Sequence, residues 1–520
     1  MLVGLRKSWS ARLADPSVVV LVCLALLTAA VFVYGFKYSG VYVRVLPVAA
    51  LALCLALLLV PQRNLSVFLL TALGLSIPFA HFAAFVVVGE GVQWAHILGS
   101  LLIIHLVARL LLGHRIPVAP ATLPILTLTA ATVISVFAVI DQPVEYIWEF
   151  WKSEIQFLFA VLVFLAVIHV RLRDRQLMFL LKSMILLSAG VALFGIYQLP
   201  ARFLELPGGI VRLTNPSLSG IVQVTTLIHH LTRAASIFSE PSYFGHYLVG
   251  MMALTLPAAL HRPNLFGRRY ILWLIILIQS TGLVLSQSVG SFYLMALLIV
   301  VTFLAERAQA RKKLAGALLL MVLTGAAALT VVQRVSGFEV GQMLQERAYG
   351  IYMYAKGDES YLVVGESLFL RLDTARIALS VWLEHPIIGV GLGSYSLISY
   401  RYGEVNLFGF AANTVVNTLA ETGLVGFIAL TWVAISSLFG VWRVFGPGEP
   451  APVNQESGEN GATLRLAARM IFYLIAVELL YFHVLNSFFW PSTWFYLGLA
   501  GLVAIMDRRR KAELPAATHS

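Results

Sequence analysis

Three stretches of this 520-residue sequence combine residue types that can bind an anion or move a proton. The first is TRAASIFSEPSYFGHYLVG, residues 232–250, in which Arg233 and Glu240 flank a turn forced by Pro241. Ser242 can cap the helix that follows, and Tyr243 stands beside it. The bland alternative is a turn leading into a membrane helix, with Tyr243, Phe244 and Tyr247 as an aromatic belt. The second is EHPIIGVGLGSYS, residues 384–396, where Gly389, Gly391 and Gly393 permit positive φ or close backbone approach. Their amides are suited to cradling an anion. The third is NTVVNTLAETGLVGF, residues 413–427, which places Asn413 and Asn417 on one helical face and Glu421 a turn further on.

Two arginines precede the glycine run. Residues 366–384 (ESLFLRLDTARIALSVWLE) read as an amphipathic helix, with Leu368, Leu372, Ala375, Leu379 and Trp382 recurring at three- and four-residue steps. His385-Pro386 ends it, because the residue before proline is driven out of the α region. Arg371 and Arg376 stand about 140° apart on this helix, so they share one half of it rather than one stripe. A guanidinium can grip a phosphate with two charge-assisted bonds, whereas a surface pair of Arg376 with Asp373 contributes only tenths of a kcal/mol. An earlier piece, 339–355 with Arg347, is also expected to be helical.

These groups must be positioned by a membrane bundle. With 59% hydrophobic and 12% charged residues, and a mean hydropathy of +0.87, the chain excludes a soluble multidomain protein. A span needs about 20 mostly apolar residues. Fourteen stretches qualify, near 17–35, 41–60, 65–80, 92–112, 121–140, 153–170, 177–199, 243–260, 270–286, 291–306, 314–332, 415–440, 469–488 and 492–506. The one at 65–80 is broken by Pro78 and followed by a second apolar run through Val88, so a span plus a re-entrant piece is an alternative. Arg6, Lys7 and Arg12 lead into the first span without a cleavage pattern, which predicts a cytoplasmic N-terminus and, after fourteen crossings, a cytoplasmic C-terminus. Threaded this way, the cytoplasmic ends collect 24 of the 36 Lys and Arg. Residues 200–242 and 333–412 then face the other side, and the second of these should fold, since its apolar faces need cover.

The expected organisation is therefore all-α: a transmembrane bundle over 1–332 with an outer loop at 200–242, a large outer loop over 333–412, and C-terminal transmembrane helices over 413–520. Residues 446–463, GPGEPAPVNQESGENGAT, lack apolar periodicity and read as a mobile cytoplasmic loop. The net charge of +11 is explained by topology and attraction to anionic lipid, so no nucleic-acid partner is expected. Cys23 and Cys54 fall in separate spans and form no metal-type spacing. His229, His230 and His246 lack ligand-spaced partners and read as interfacial polar residues. A carboxylate such as Glu421 in a membrane helix costs about 2.5–3.5 kcal/mol unless partnered. It serves either chemistry or a helix-to-loop contact.

In this order the three segments resemble the bacterial O-antigen ligase and polysaccharide polymerase family. The matching residues are Arg233 with Glu240-Pro241-Ser242, then His385-Pro386 with Gly389, Gly391 and Gly393, then Asn413 with Glu421-Thr422-Gly423-Leu424. The resemblance spans roughly 230–430. It implies a GT-C-like helical fold in the bacterial inner membrane and a metal-independent glycosyltransferase without cofactor. The donor would be an undecaprenyl-pyrophosphate-linked oligosaccharide at the periplasmic face. Arg233, Arg371 and Arg376 would bind the pyrophosphate and stabilise it on departure. Ser242, Tyr243, the three glycines, Asn413 and Glu421 would line the substrate. A flippase and a chain-length regulator are the further expected partners, alongside membrane lipid.

Two departures separate this chain from the ligases it resembles. Where they carry a histidine before the asparagine, it has Ala412; where a small-Ser-Arg-Gly pattern is common, it has Ser288-Val289-Gly290. These departures and the Glu-Pro-Ser form favour an O-antigen or exopolysaccharide polymerase over a ligase acting on lipid A core. Glu240 is the first candidate for general base and His385 the second. A transporter or flippase of a lipid-linked anion is the alternative from another class. It calls for charged groups at mid-membrane, where Glu478 and His105 are the main candidates, most others lying near the outer edge.

Overall fold

The computed structural model describes residues 64–87, 90–211, 213, 233–336, 362–402, 411, 413–445, 458–483 and 486–513, with isolated positions between 337 and 361. The expected spans at 17–35 and 41–60 lie outside the described residues, as do Ala412 and most of 339–355.

The described chain is helical apart from one small hairpin. The first helix, α1 (Leu65–Ser76), runs into a 3-10 turn at Ile77–Phe79 that contains Pro78. The apolar run after Pro78 leads into a hairpin. Ala83–Val87 (β1) pairs antiparallel with Glu90–Gln93 (β2), because Val86 and Val87 extend readily and the pairing satisfies their backbone groups. The succession continues with α2 (Trp94–Leu111), α3 (Thr122–Ile134), α4 (Val144–His169), α5 (Asp174–Phe203) and α6 (Pro241–His261). Next come α7 (Arg269–Ser286), α8 (Val289–Ala305), α9 (Ala308–Ser336), α10 (Leu362–Glu384) and the short α11 (Tyr395–Ile398). The last are α12 (Thr414–Phe445), α13 (Gly458–Tyr481) and α14 (Pro491–Glu513). Helix α13 begins inside the segment expected to be a loop; 446–457 lie outside the described residues.

Seven of the described helices are long and apolar enough to cross a membrane. Their outward faces carry large apolar side chains, including Ile104, Trp148, Leu186, Val322 and Ile435, the reverse of a water-soluble surface. Helix α6 is the axis. Its spanning window is 89% buried, and it packs against α5, α7, α8 and α13. Around it, α14 packs against α4, α12 and α13, with Phe157 of α4 stacked on Phe488 at 4.9 Å between centroids.

The end of the bundle where α6 terminates is pinned by a buried charge. The Glu306 carboxylate meets His261 Nε2 at 3.0 Å, accepts from the Tyr473 hydroxyl at 2.9 Å and lies 3.3 Å from Arg469 Nε. A carboxylate hidden from water needs such a set of donors to stay charged. At the same end Arg508 donates to the Val118 carbonyl, tying α14 to the loop before α3. The opposite end holds the sequence motifs.

Candidate active site

The segment from Arg233 to Glu240 does not hang free; it folds back into the bundle. The Gln198 side chain staples it: its Oε1 accepts from the amides of Ala235 (3.0 Å) and Ser236 (2.8 Å), and its Nε2 donates to the Ser236 carbonyl at 3.2 Å. Ser236 takes a left-handed backbone, φ 51°, and its hydroxyl donates to the Val191 carbonyl at 2.7 Å. Arg233 is half-buried and donates from Nε to the Ser286 carbonyl at 3.1 Å, at the negative end of α7. Arg202 holds it from behind, donating to the Arg233 carbonyl at 2.5 Å and to the Gly209 carbonyl at 2.7 Å.

This staple delivers Glu240 to the N-cap position of α6, in extended conformation, with Pro241 as the first helical residue. Glu240 is half-buried, and the Ser242 hydroxyl donates to its Oε2 at 3.0 Å. Ser242 thus engages the carboxylate rather than capping a backbone amide.

Tyr243 then stands at the centre of a ring of side chains from four parts of the chain. Its ring lies 5.3 Å from His81, beyond α1, and 5.7 Å from Trp490, just before α14. Tyr481, at the end of α13, is 6.2 Å from Trp490 and 4.3 Å from His246, one turn along α6. Arg371 of α10 is within electrostatic reach of Tyr243, His246 and Tyr481. Glu240 reaches Tyr243 and Tyr481. One turn before Tyr481, Glu478 accepts from the Thr493 hydroxyl. His81 is buried, and burial pushes its imidazole down to about 4, so the ring is neutral at physiological pH. His81, Tyr481 and Trp490 carry no sequence signal of this role, since they stand far from the motifs in the chain.

Helix α10 packs by a different face from the one its leucines suggest. Leu372 and Leu379 are exposed, and the side chain of Leu368 is outside the described residues. The buried stripe is Thr374, Ile377, Ala378 and Val381, which joins Val390, Tyr395, Ile398 and Ala420 in a second small core. A leucine stripe at a membrane surface can face lipid, so periodicity alone does not identify the packed side. Arg371 precedes Thr374 and Ala378 by three and seven residues and so shares the inward stripe; it is half-buried. Arg376 is exposed, and among the described residues its side chain pairs with neither Asp373 nor the ring around Tyr243. His385 is exposed beyond the helix end, where its amide donates to the Val381 and Trp382 carbonyls.

The glycine run does cradle a carboxyl group, and that group is the protein's own. Glu421, buried in α12, lies within reach of the backbone amides of Gly393 and Tyr395 and of the Asn417 side chain. The remaining amides are engaged as well. Gly389 donates to the His385 carbonyl, Val390 to Ala420, Gly391 to Glu421 and Ser394 to Gly391, while Leu392 donates to the Ser135 hydroxyl. Gly389 (φ 70°), Gly391 (φ 96°) and Gly393 (φ 77°) all occupy the left-handed region. Helix α12 breaks opposite them at Gly423 (φ 64°), where a Cβ would come within 2.2 Å of the Ile387 carbonyl oxygen. The glycines allow two backbones to touch and α10 to be hung on α12.

Asn413 caps α12, its Oδ1 accepting from the amides of Val415 (2.9 Å) and Val416 (3.2 Å). Its Nδ2 donates to the His483 carbonyl at 3.3 Å, tying α12 to the end of α13. The Asn417 Oδ1 accepts from the Ala411 amide at 3.1 Å. Among the described residues no cluster of three or more His, Cys, Asp and Glu is arranged to hold a metal ion.

Fold and site together define a multi-pass helical membrane protein with a polar, aromatic-lined site at one end of its bundle. Residues 274–431 match the family described as O-antigen ligase, which supports an O-antigen ligase/Wzy-like family for this chain. That family points to a glycosyltransferase-like enzyme of lipopolysaccharide biosynthesis. The matched segment holds Arg371, the glycine run, Asn413 and Glu421 but not Glu240, Tyr243, Tyr481 or Trp490. No curated protein matches the chain.

Proposed function

We propose that this chain is a polysaccharide polymerase that transfers a glycan from an undecaprenyl-pyrophosphate carrier to a lipid-linked repeat unit. In this reading it sits in the bacterial inner membrane with the Tyr243 end facing the periplasm. The observation that carries it is the convergence of Arg371 of α10 with Glu240 and Tyr243 at the start of α6, at one end of a membrane bundle. An enzyme acting on a lipid-borne diphosphate needs cationic donors fixed where negative charge develops, beside a polar surface for sugar hydroxyls.

Arg371, with Arg233 behind the turn, stabilises the departing pyrophosphate. Arg376, exposed on α10, draws the anionic carrier towards the mouth, and His385, exposed beyond the helix end, offers it a hydrogen bond there. Gly389, Gly391, Gly393, Asn413 and Glu421 serve the substrate by setting the position of α10, and with it Arg371. No nucleotide, metal or cofactor takes part. Ala412 and the Glu-Pro-Ser turn favour a polymerase. The family description favours the second reading, a ligase that delivers the glycan to lipid A core.

The test is the lipid-linked glycan that builds up when the chain is removed from its host. Single repeat units on the carrier support the polymerase. Full-length carrier-bound polymer supports the ligase, and no change in carrier-linked glycan overturns both.

A further inference from the structure

Glycosyl transfer to a hydroxyl needs a proton acceptor, and Ala412 cannot serve. Beneath Tyr243 lies a group of buried polar atoms that the fold leaves unsatisfied. Both ring nitrogens of His246, Nδ1 of His81 and the hydroxyl of Tyr481 have no hydrogen-bond partner among the described residues. His246 is 8% exposed, and His81 and Tyr481 are each 5% exposed, so bulk water does not satisfy them. Folded proteins rarely leave such groups unmet, and several of them on residues joined by ring contacts mark a place where hydroxyl groups can bind. Four aromatic contacts connect the group: His81 to Tyr243, Tyr243 to Trp490, Trp490 to Tyr481 and Tyr481 to His246. Tyr243 and Trp490 are half-buried, and Arg371 is within electrostatic reach of the His246 ring.

We propose that His246 is the general base: it takes the proton of the acceptor hydroxyl as that oxygen attacks the anomeric carbon of the donor sugar. This rests on the glycosyltransferase reading above. The imidazole suits the role in either tautomer, because one ring nitrogen always keeps a lone pair. The Ser242 carbonyl, one turn back on α6, lies close to the ring without meeting hydrogen-bond geometry. It can receive one N–H of the imidazolium once the proton has moved, leaving the other nitrogen for the acceptor hydroxyl. In the step, the acceptor oxygen forms its bond to the anomeric carbon. The bond from that carbon to the pyrophosphate oxygen breaks, and its electron pair leaves with the pyrophosphate towards Arg371. The proton passes to His246. Glu240, held by Ser242 at the mouth, then orients the acceptor instead of deprotonating it. Carbohydrate rings would enter over the Tyr243 and Trp490 faces.

The test uses the full chain in lipid nanodiscs. The substrate is the lipid-linked glycan extracted from cells lacking the chain, and the binding probe is undecaprenyl pyrophosphate. His246→Gln and His246→Asn each keep hydrogen-bonding groups in place but cannot take up a proton. Both should lower kcat by at least about 100-fold, the lower range for loss of a positioned base. KM and undecaprenyl-pyrophosphate binding should stay within about threefold of wild type, since a base contributes to the transition state and not to carrier binding. If either variant loses less than about 100-fold in kcat, His246 only positions or packs, and the proposal is overturned. It is also overturned if both variants lose carrier binding together with turnover. A wild-type chain that neither binds the carrier nor transfers glycan sinks the underlying glycosyltransferase reading, and the base with it.

Discussion

Glu421 lies against the backbone amides of Gly393 and Tyr395 while its own carbonyl accepts from the Gly391 amide at 2.9 Å, so the glycine run and the broken helix α12 form one rigid unit. Helix α10 is attached to that unit by the Tyr395 hydroxyl, which donates to the Thr374 carbonyl at 3.0 Å, one turn after Arg371. The aim of Arg371 is therefore set by a carboxylate fifty positions away in sequence.

Breaking this attachment should move Arg371 without touching it. Glu421→Ala leaves two amides unmatched in a buried place and should cost about 2–4 kcal/mol, while Glu421→Gln, which keeps an acceptor, should cost less than half of that. Thermal unfolding of the detergent-solubilised variants measures the difference. Hydrogen exchange over 385–402 should rise in Glu421→Ala and stay near wild type in Glu421→Gln.

The two arginines of α10 should separate cleanly. Arg371→Ala is expected to abolish chain extension in cells while the protein remains membrane-inserted, because hydrogen bonds to charged groups contribute about 1.5–3 kcal/mol each. Arg371→Lys should restore only part of the activity, since an ammonium cannot grip a diphosphate with two parallel bonds. Arg376→Ala, on the exposed side, should keep polymer length within about twofold, the small effect usual for a solvated charge. Gel analysis of polymer length distinguishes the three.

Gly423→Ala should be among the most damaging single-methyl changes in the chain. The added Cβ would sit 2.2 Å from the Ile387 carbonyl oxygen on a backbone at φ 64°. Left-handed strain alone is of order 1–3 kcal/mol, and the clash adds to it. Reduced yield of folded protein and a lowered unfolding temperature would show this. A Gly316→Ala control, whose added Cβ meets nothing within 4 Å, should be neutral.

His81 should make the fold acid-sensitive. Burial holds its folded pKa at about 4 against the ordinary imidazole value of 6.5, so below pH 6.5 the unfolded chain takes up a proton that the folded chain refuses. Stability should therefore fall as pH drops from 6.5 towards 4, by up to about 3 kcal/mol at the lower limit. His81→Gln should flatten that slope, read from unfolding midpoints between pH 7 and pH 4.

Much of this protein could be read from residue order. Long apolar runs reveal their helices whatever their neighbours are, because a membrane span is satisfied by its own backbone bonds. The helix boundaries at Pro241, Asn413 and Pro491 follow from proline geometry and side-chain capping, which are local. Arg233, Glu240, Tyr243 and Arg371 were recognisable as candidates because each sits in a short stretch with unusual chemistry.

Residue order thus settles local matters: which segments are helical, where they stop, and which residues near those stops can do chemistry. Packing settles which of them meet. It turned α10 by its Thr374–Ala378 face instead of its leucines, since lipid and protein reward apolar surface alike and periodicity cannot tell them apart. It filled the glycine cradle with Glu421, because a buried carboxylate must find donors and the nearest free amides were there. It also brought His81, Tyr481 and Trp490 around Tyr243 from distant parts of the chain. Contacts of that kind depend on how whole helices pack, which no single stretch of residues specifies.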